Sequence, residues 1–176
     1  MMEHKAFVFD FERFSRELQP IIERGLLSGD CSETIAFVRD NLGRLKDPYE
    51  GEPLGSDWES MIESRDIHQY GDFALTKYYD PSADIGLGAS WAEVQDLIVR
   101  DSTILVSPIL GTIVGPERNP FDPGKLGSYF QSYDRLQKSI NQLTALRDPA
   151  VASVVAPALQ MLSCAADAKA GLYVTF

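Results

Sequence analysis

The sequence predicts an α+β fold, predominantly α-helical: a single globular domain over residues 1–176 with a C-terminal antiparallel helical hairpin and a few short strands. Apolar seams toward both ends follow the three-and-four spacing of a helix face. Three helix-start signatures, Asp30-Cys31-Ser32-Glu33, Ser56-Asp57-Trp58-Glu59 and Ser90-Trp91-Ala92-Glu93, punctuate the middle. Strand-like alternation, by contrast, is confined to short runs. A chain of 176 residues with 44% hydrophobic content can hide roughly 70% of the surface it exposes when unfolded, so it needs no disulfide or metal staple.

Taken in order, Phe7, Phe9 and Phe11 alternate and predict a strand over Ala6–Phe11. Phe11, Phe14, Leu18, Ile21, Ile22 and Leu26 then share one helix face, with Asp10 as N-cap. Pro20 falls inside that pattern and predicts a kink or two shorter helices, ended by Gly25 or Gly29. The three start signatures predict helices over Cys31–Asn41 (closed by Gly43), from Ser56 to about Arg65, and from Ser90 to about Arg100. Phe73, Leu75, Lys77 and Tyr79 read as a strand, turned by Asp80-Pro81-Ser82.

Ser102–Val114 is β-branched and apolar but interrupted by Pro108 and Gly111, which fits a buried strand, a bent pair or an extended core loop. Gly115–Gly124 is a proline-rich loop. Leu126, Tyr129, Tyr133, Leu136, Ile140 and Leu143 predict one helix of about 20 residues and about 30 Å. Asp148-Pro149 caps the next helix, which is apolar almost all round to about Lys169 and is expected near the centre of the fold. Gly171 ends it, and Leu172–Phe176 forms a terminal strand.

Charge is segregated. Ten of the 26 acidic residues lie in Asp47–Asp84 with only Arg65 and Lys77 against them, so this stretch holds a net −8 of the total −10. It also contains Tyr49, Trp58, His68, Tyr70, Phe73, Tyr78 and Tyr79. Carboxylates and aromatic faces both favour positive charge. The leading expectation is therefore a non-enzymatic protein-binding module, an inhibitor or immunity-type protein that docks a basic partner through residues 47–84. Trp58, Tyr70, Tyr78 and Tyr79 are the expected anchors, and Asp57, Glu59, Glu63, Asp66 and Asp72 the steering field.

The alternative is a small metal-dependent hydrolase using Glu59, Glu63, Asp66 and His68, although no HExxH or EF-hand spacing accompanies them. A third reading makes the long helix an oligomerising element of a structural subunit. No catalytic residue, metal ligand or cofactor is assigned. Glycines at 86, 88, 111 and 115 lack the spacing of a P-loop, dinucleotide fingerprint or nucleophile elbow. Tyr129, Phe130 and Tyr133 read as core, with a pocket beside the 115–124 loop as the other reading.

An isoelectric point near 4.6 disfavours nucleic acid and anionic membranes. The apolar run Val151–Ala166 is broken by Pro157 and Gln160 and falls short of a membrane span. Cys31 and Cys164 are expected as free thiols in a reducing cytoplasm, Cys164 buried and inert, Cys31 at a helix start. Met1–Lys5 shows no basic, apolar leader pattern.

Overall fold

Side-chain alternation along three short strands divides the molecule into layers. In the computed structural model, which describes residues 2–146 and 148–176, β1 (Lys5–Phe9), β2 (Ser128–Gln131) and β3 (Gly171–Thr175) form one antiparallel sheet in the order β1-β3-β2. Met1 of the leader reading therefore lies outside the described residues. Register sets both Phe7 and Phe130 opposite Tyr173. Because strand side chains alternate, Phe7, Phe9, Phe130 and Tyr173 share one face, and Ala6, Val8, Leu172 and Val174 the other. The strand nearest the C-terminus is the middle one, and Gly171–Val174 are all buried.

The aromatic face is covered by α1 (Phe11–Glu17), α2 (Gln19–Ser28), α3 (Ser32–Asn41) and α4 (Ile67–Leu75). The other face is covered by α5 (Trp91–Ile98), α6 (Tyr133–Thr144) and α7 (Pro149–Asp167). The fold is thus α+β and mostly helical, with α6 and α7 packed as the C-terminal hairpin.

Several local signals act as read. Asp10 accepts a hydrogen bond from Arg13 N, and the helix divides at Leu18 so that Pro20 sits in the first turn of α2, where it interrupts no bond. Gly29 ends α2 at φ +74°, a left-handed position that glycine adopts without strain. Asp148 caps α7 through Ala150 N.

Elsewhere the structure corrects the expectation. Asp72–Tyr79 is no strand: Asp66 accepts from Gln69 N and starts α4, which runs through Asp72 to Leu75. Gly71 permits close packing there, since a Cβ would stand 2.5 Å from Phe121 Cε2. The expected helix from Leu126 is a strand followed by a helix. Ser128–Gln131 pair with β3, and Ser132 caps α6 by accepting from Arg135 N. The Ser56 signature yields only a 3-10 turn, Trp58–Met61, because the chain is already extended at Ile62. Ser90 precedes α5, but its hydroxyl donates back to Leu87 O instead of capping.

Residues 102–114 form an irregular segment of turns and bends in which Pro108, Ile109 and Val114 are buried and Leu105 is exposed, touching the sheet by the Thr112–Phe130 bridge. The loop is held by Gln131, whose Nε2 donates to Pro108 O at 2.9 Å while its Oε1 accepts from Ser139 Oγ at 2.7 Å. His4 is fully buried nearby: Nε2 donates to Ile109 O at 2.9 Å, and Nδ1 accepts from Leu87 N at 3.2 Å. α7 is peripheral rather than central, burying one stripe (Val155, Ala158, Met161, Leu162, Ala165). Its length and composition match a membrane span, but Ala158, Met161, Leu162 and Ala165 of that stripe are packed into the aliphatic layer. Cys164 is exposed, and the half-buried Cys31 thiol is pushed up by burial and by Asp66 and Asp30, the reverse of activation.

Candidate functional site

The acidic, aromatic stretch does not fold as a surface of aromatic anchors. Trp58 is 2% exposed, Tyr78 4%, and Tyr70 and Tyr79 9% each. Trp58 packs edge-on to Tyr70 at 6.1 Å, and Tyr78 donates through its hydroxyl to Glu17 Oε2 at 3.0 Å. These four expected anchors are core residues, because large apolar area stabilises more when buried than when shared with acids in water. The same Glu17 carboxylate accepts from Lys77 Nζ at 2.9 Å, and this bond above all holds its pKa down to about 2.

The expected steering acids separate into kinds. Asp57 and Glu63 are exposed and, among the described residues, make no side-chain hydrogen bond or ion pair; Glu50 and Glu52 behave likewise. Glu59 pairs with Arg39 at 2.6 Å, and Asp66 is the α4 cap. Asp72 is buried, at 7% exposure.

Burial of Asp72 is what defines the site. α4 directs it toward the aromatic face of the sheet, where a cleft of about 180 Å³ opens between the sheet, Tyr79 and the 48–49 loop. Phe7 and Tyr173 rise from β1 and β3 as walls, with Tyr79 against both at ring-centroid distances of 4.8 and 5.2 Å. Asp47 accepts from Tyr49 N at 2.8 Å and Glu50 N at 3.2 Å, a turn that presents Tyr49 at the mouth, 74% exposed. Lys5 and Asp84 line the rim. Asp84 is partly committed, accepting from Ala6 N and Gly86 N.

Burial raises the Asp72 pKa, Asp47 raises it further, and a hydrogen bond from Tyr49 opposes them, leaving it at about 7. The tyrosine hydroxyls inside stay protonated, Tyr79 and Tyr173 being pushed up first by burial. Among the described residues no lysine, arginine or histidine lies within ion-pairing distance of Asp72. The arrangement is a compact, aromatic-walled cavity with one carboxyl group poised at half ionisation near neutral pH. It can accept a cation when ionised.

Two of the expected residues, Asp72 and Tyr79, meet in this cleft. Phe7, Tyr49, Tyr173 and Lys5 were missed as site residues. One signal was available: Asp72 is the single acid inside the apolar run Tyr70–Leu75.

The carboxylate-histidine set expected for a hydrolase is not assembled. His68 Nδ1 accepts from Asp122 N at 3.1 Å while its ring stacks on Phe121, and Glu59 and Asp66 are engaged as above. Among the described residues no three His, Cys, Asp or Glu side chains gather where they could hold a metal ion. No protein-family model, curated protein or solved structure matches this chain.

Proposed function

We propose that the chain is a protein-binding module, an inhibitor or immunity-type protein, that docks a basic partner through residues 47–84. One observation supports this above the rest. Glu50, Glu52, Asp57 and Glu63 are exposed and, among the described residues, uncommitted on one stretch, to which the cleft adds Asp84 and Asp72. Of the two basic residues in the stretch, Lys77 is spent on Glu17, so the field there stays negative. Such a surface speeds encounter with a basic partner and rejects acidic ones.

The test is affinity capture from native lysate with wild type and with a variant carrying Glu50→Gln, Glu52→Gln, Asp57→Asn and Glu63→Gln. All four positions are exposed, so the variant should fold as wild type does. A basic protein held by the wild type and released by the variant is the expected result. Recovery of the same proteins with both baits, or of none, counts against docking through this surface.

A further inference from the structure

We infer that the Asp72 cleft seats one cationic side chain of the basic partner, a lysine ammonium or an arginine guanidinium; this rests on the docking reading above. Size selects the occupant. At about 180 Å³ the cleft lies below the roughly 300–1,000 Å³ of pockets that take drug-sized ligands, and suits one extended side chain. Chemistry selects the charge. Phe7, Tyr79 and Tyr173 line it with aromatic rings, and such rings attract cations most strongly when water is excluded. Beside them stands a carboxyl group nine-tenths buried that, among the described residues, forms no ion pair, Lys5 being at the exposed rim. A buried carboxylate without a counter-ion is costly, and an entering ammonium supplies what the fold omits.

The groups facing Asp72 agree with that assignment. Asp47 and Asp84 add negative potential at the mouth, Tyr49, Tyr79 and Tyr173 are neutral donors, and Lys5 alone opposes from the exposed rim. An anion would meet three carboxyl groups and one lysine. The ligand must find Asp72 ionised, so affinity should be flat above the pKa of about 7 and fall about tenfold for each pH unit below it.

Two probes test this: Nα-acetyl-lysine amide, and its neutral counterpart Nα-acetyl-norleucine amide, titrated by calorimetry at pH 8 and pH 6 against wild type and Asp72→Asn. The expected result is saturable millimolar binding of the lysine compound at pH 8, about tenfold weaker at pH 6 and at least tenfold weaker in Asp72→Asn. The norleucine compound should not bind. Equal binding of the two compounds, undiminished binding by Asp72→Asn, or no binding to wild type overturns the inference. A carbon-detected NMR titration of Asp72 in wild type gives a second readout, since saturating lysine compound must lower its midpoint and an unmoved midpoint refutes the contact.

Capture with Asp72→Asn as bait separates the two proposals. A basic protein released by the four-site variant but fully retained by Asp72→Asn leaves docking standing and removes the cleft from it. Lysine-compound binding that requires Asp72, with no protein captured by any bait, assigns the cleft to free amines and ends the side-chain assignment.

Discussion

The two faces of the sheet come from the same three strands, yet the buried aromatic rings gather on one side, mixed there with aliphatic side chains, while the buried core described on the other side is aliphatic. Against Phe7, Phe9, Phe130 and Tyr173 pack Phe14, Trp58, Tyr70, Phe73, Tyr78, Tyr79 and Phe121; against Ala6, Leu172 and Val174 pack leucine, isoleucine, valine, alanine and methionine. The cleft of about 180 Å³ lies on the aromatic side, lined by Phe7, Tyr79 and Tyr173 together with Asp72. Branched aliphatic chains interdigitate, and the polar groups on that side, His4, Gln131 and Ser139, are sealed in by hydrogen bonds. The difference teaches where a small fold can keep a reactive buried group: Asp72 on the aromatic side is open to a ligand, whereas His4 on the aliphatic side is closed.

The sharpest break of that comparison is truncation. Phe130 stacks on Phe14 and Tyr173 at 5.2 and 5.0 Å, so Phe130→Ala should cost about 3–5 kcal/mol, and Leu136→Ala in the aliphatic layer about 2–5, in urea unfolding. A larger loss for Leu136→Ala would place the main stabilising mass on the other side.

Next in size is Asp72→Asn. The folded pKa of about 7 stands above the reference 3.8, so the stability linked to Asp72 is fully present below 3.8 and is lost as pH rises through 7. The amide escapes that loss, and the variant should be more stable than wild type by about 2–4 kcal/mol at pH 8, the gap closing toward pH 4. A gap that does not change with pH would mean Asp72 is not the titrating group.

Smaller still is His4, whose pKa burial holds below 6.5. Its contribution is present above pH 6.5 and is lost as pH falls, the mirror of Asp72. His4→Ala should cost about 1–3 kcal/mol at pH 7.5, by leaving Leu87 N and Ile109 O unpaired, and should flatten the stability profile below pH 6.5. An unchanged acid slope in that variant would assign the slope to the carboxylates.

The sequence was legible where the signal is local. The alternation of Phe7 and Phe9, the interruption at Pro20, the Asp10 and Asp148 caps and the terminal strand all rest on neighbours within a few residues. It misled where two periods fit the same residues. Tyr129 and Tyr133 satisfy helical spacing, and only pairing with Tyr173 and Val174, more than forty positions away, makes Tyr129-Phe130 a strand. Asp72–Tyr79 failed likewise, because the Asp66 cap that starts α4 outweighs a short alternation. For the site, dense acids around Trp58, Tyr70 and Tyr79 suggested solvent, but the rings that bury Tyr79 come from Phe7 and Tyr173 at opposite ends of the chain. Asp57 and Glu63 do stand on the surface as read, since nothing distant competes for them.

The central place of β3 has a consequence for how the chain is made. Within the sheet β1 and β2 both pair with β3 and not with each other, while Phe130 of β2 also bridges Thr112 of the loop. During synthesis, residues 171–175 leave the ribosome after every other element described, so until then both earlier strands offer open edges and an uncovered row of phenylalanines. Until β3 emerges, the strand edges it pairs are open, the condition in which aggregation competes with folding. Closure of the sheet is a late, long-range event that couples the whole molecule at once, and a stop codon placed before Gly171 would release an aggregating product rather than a shortened working one.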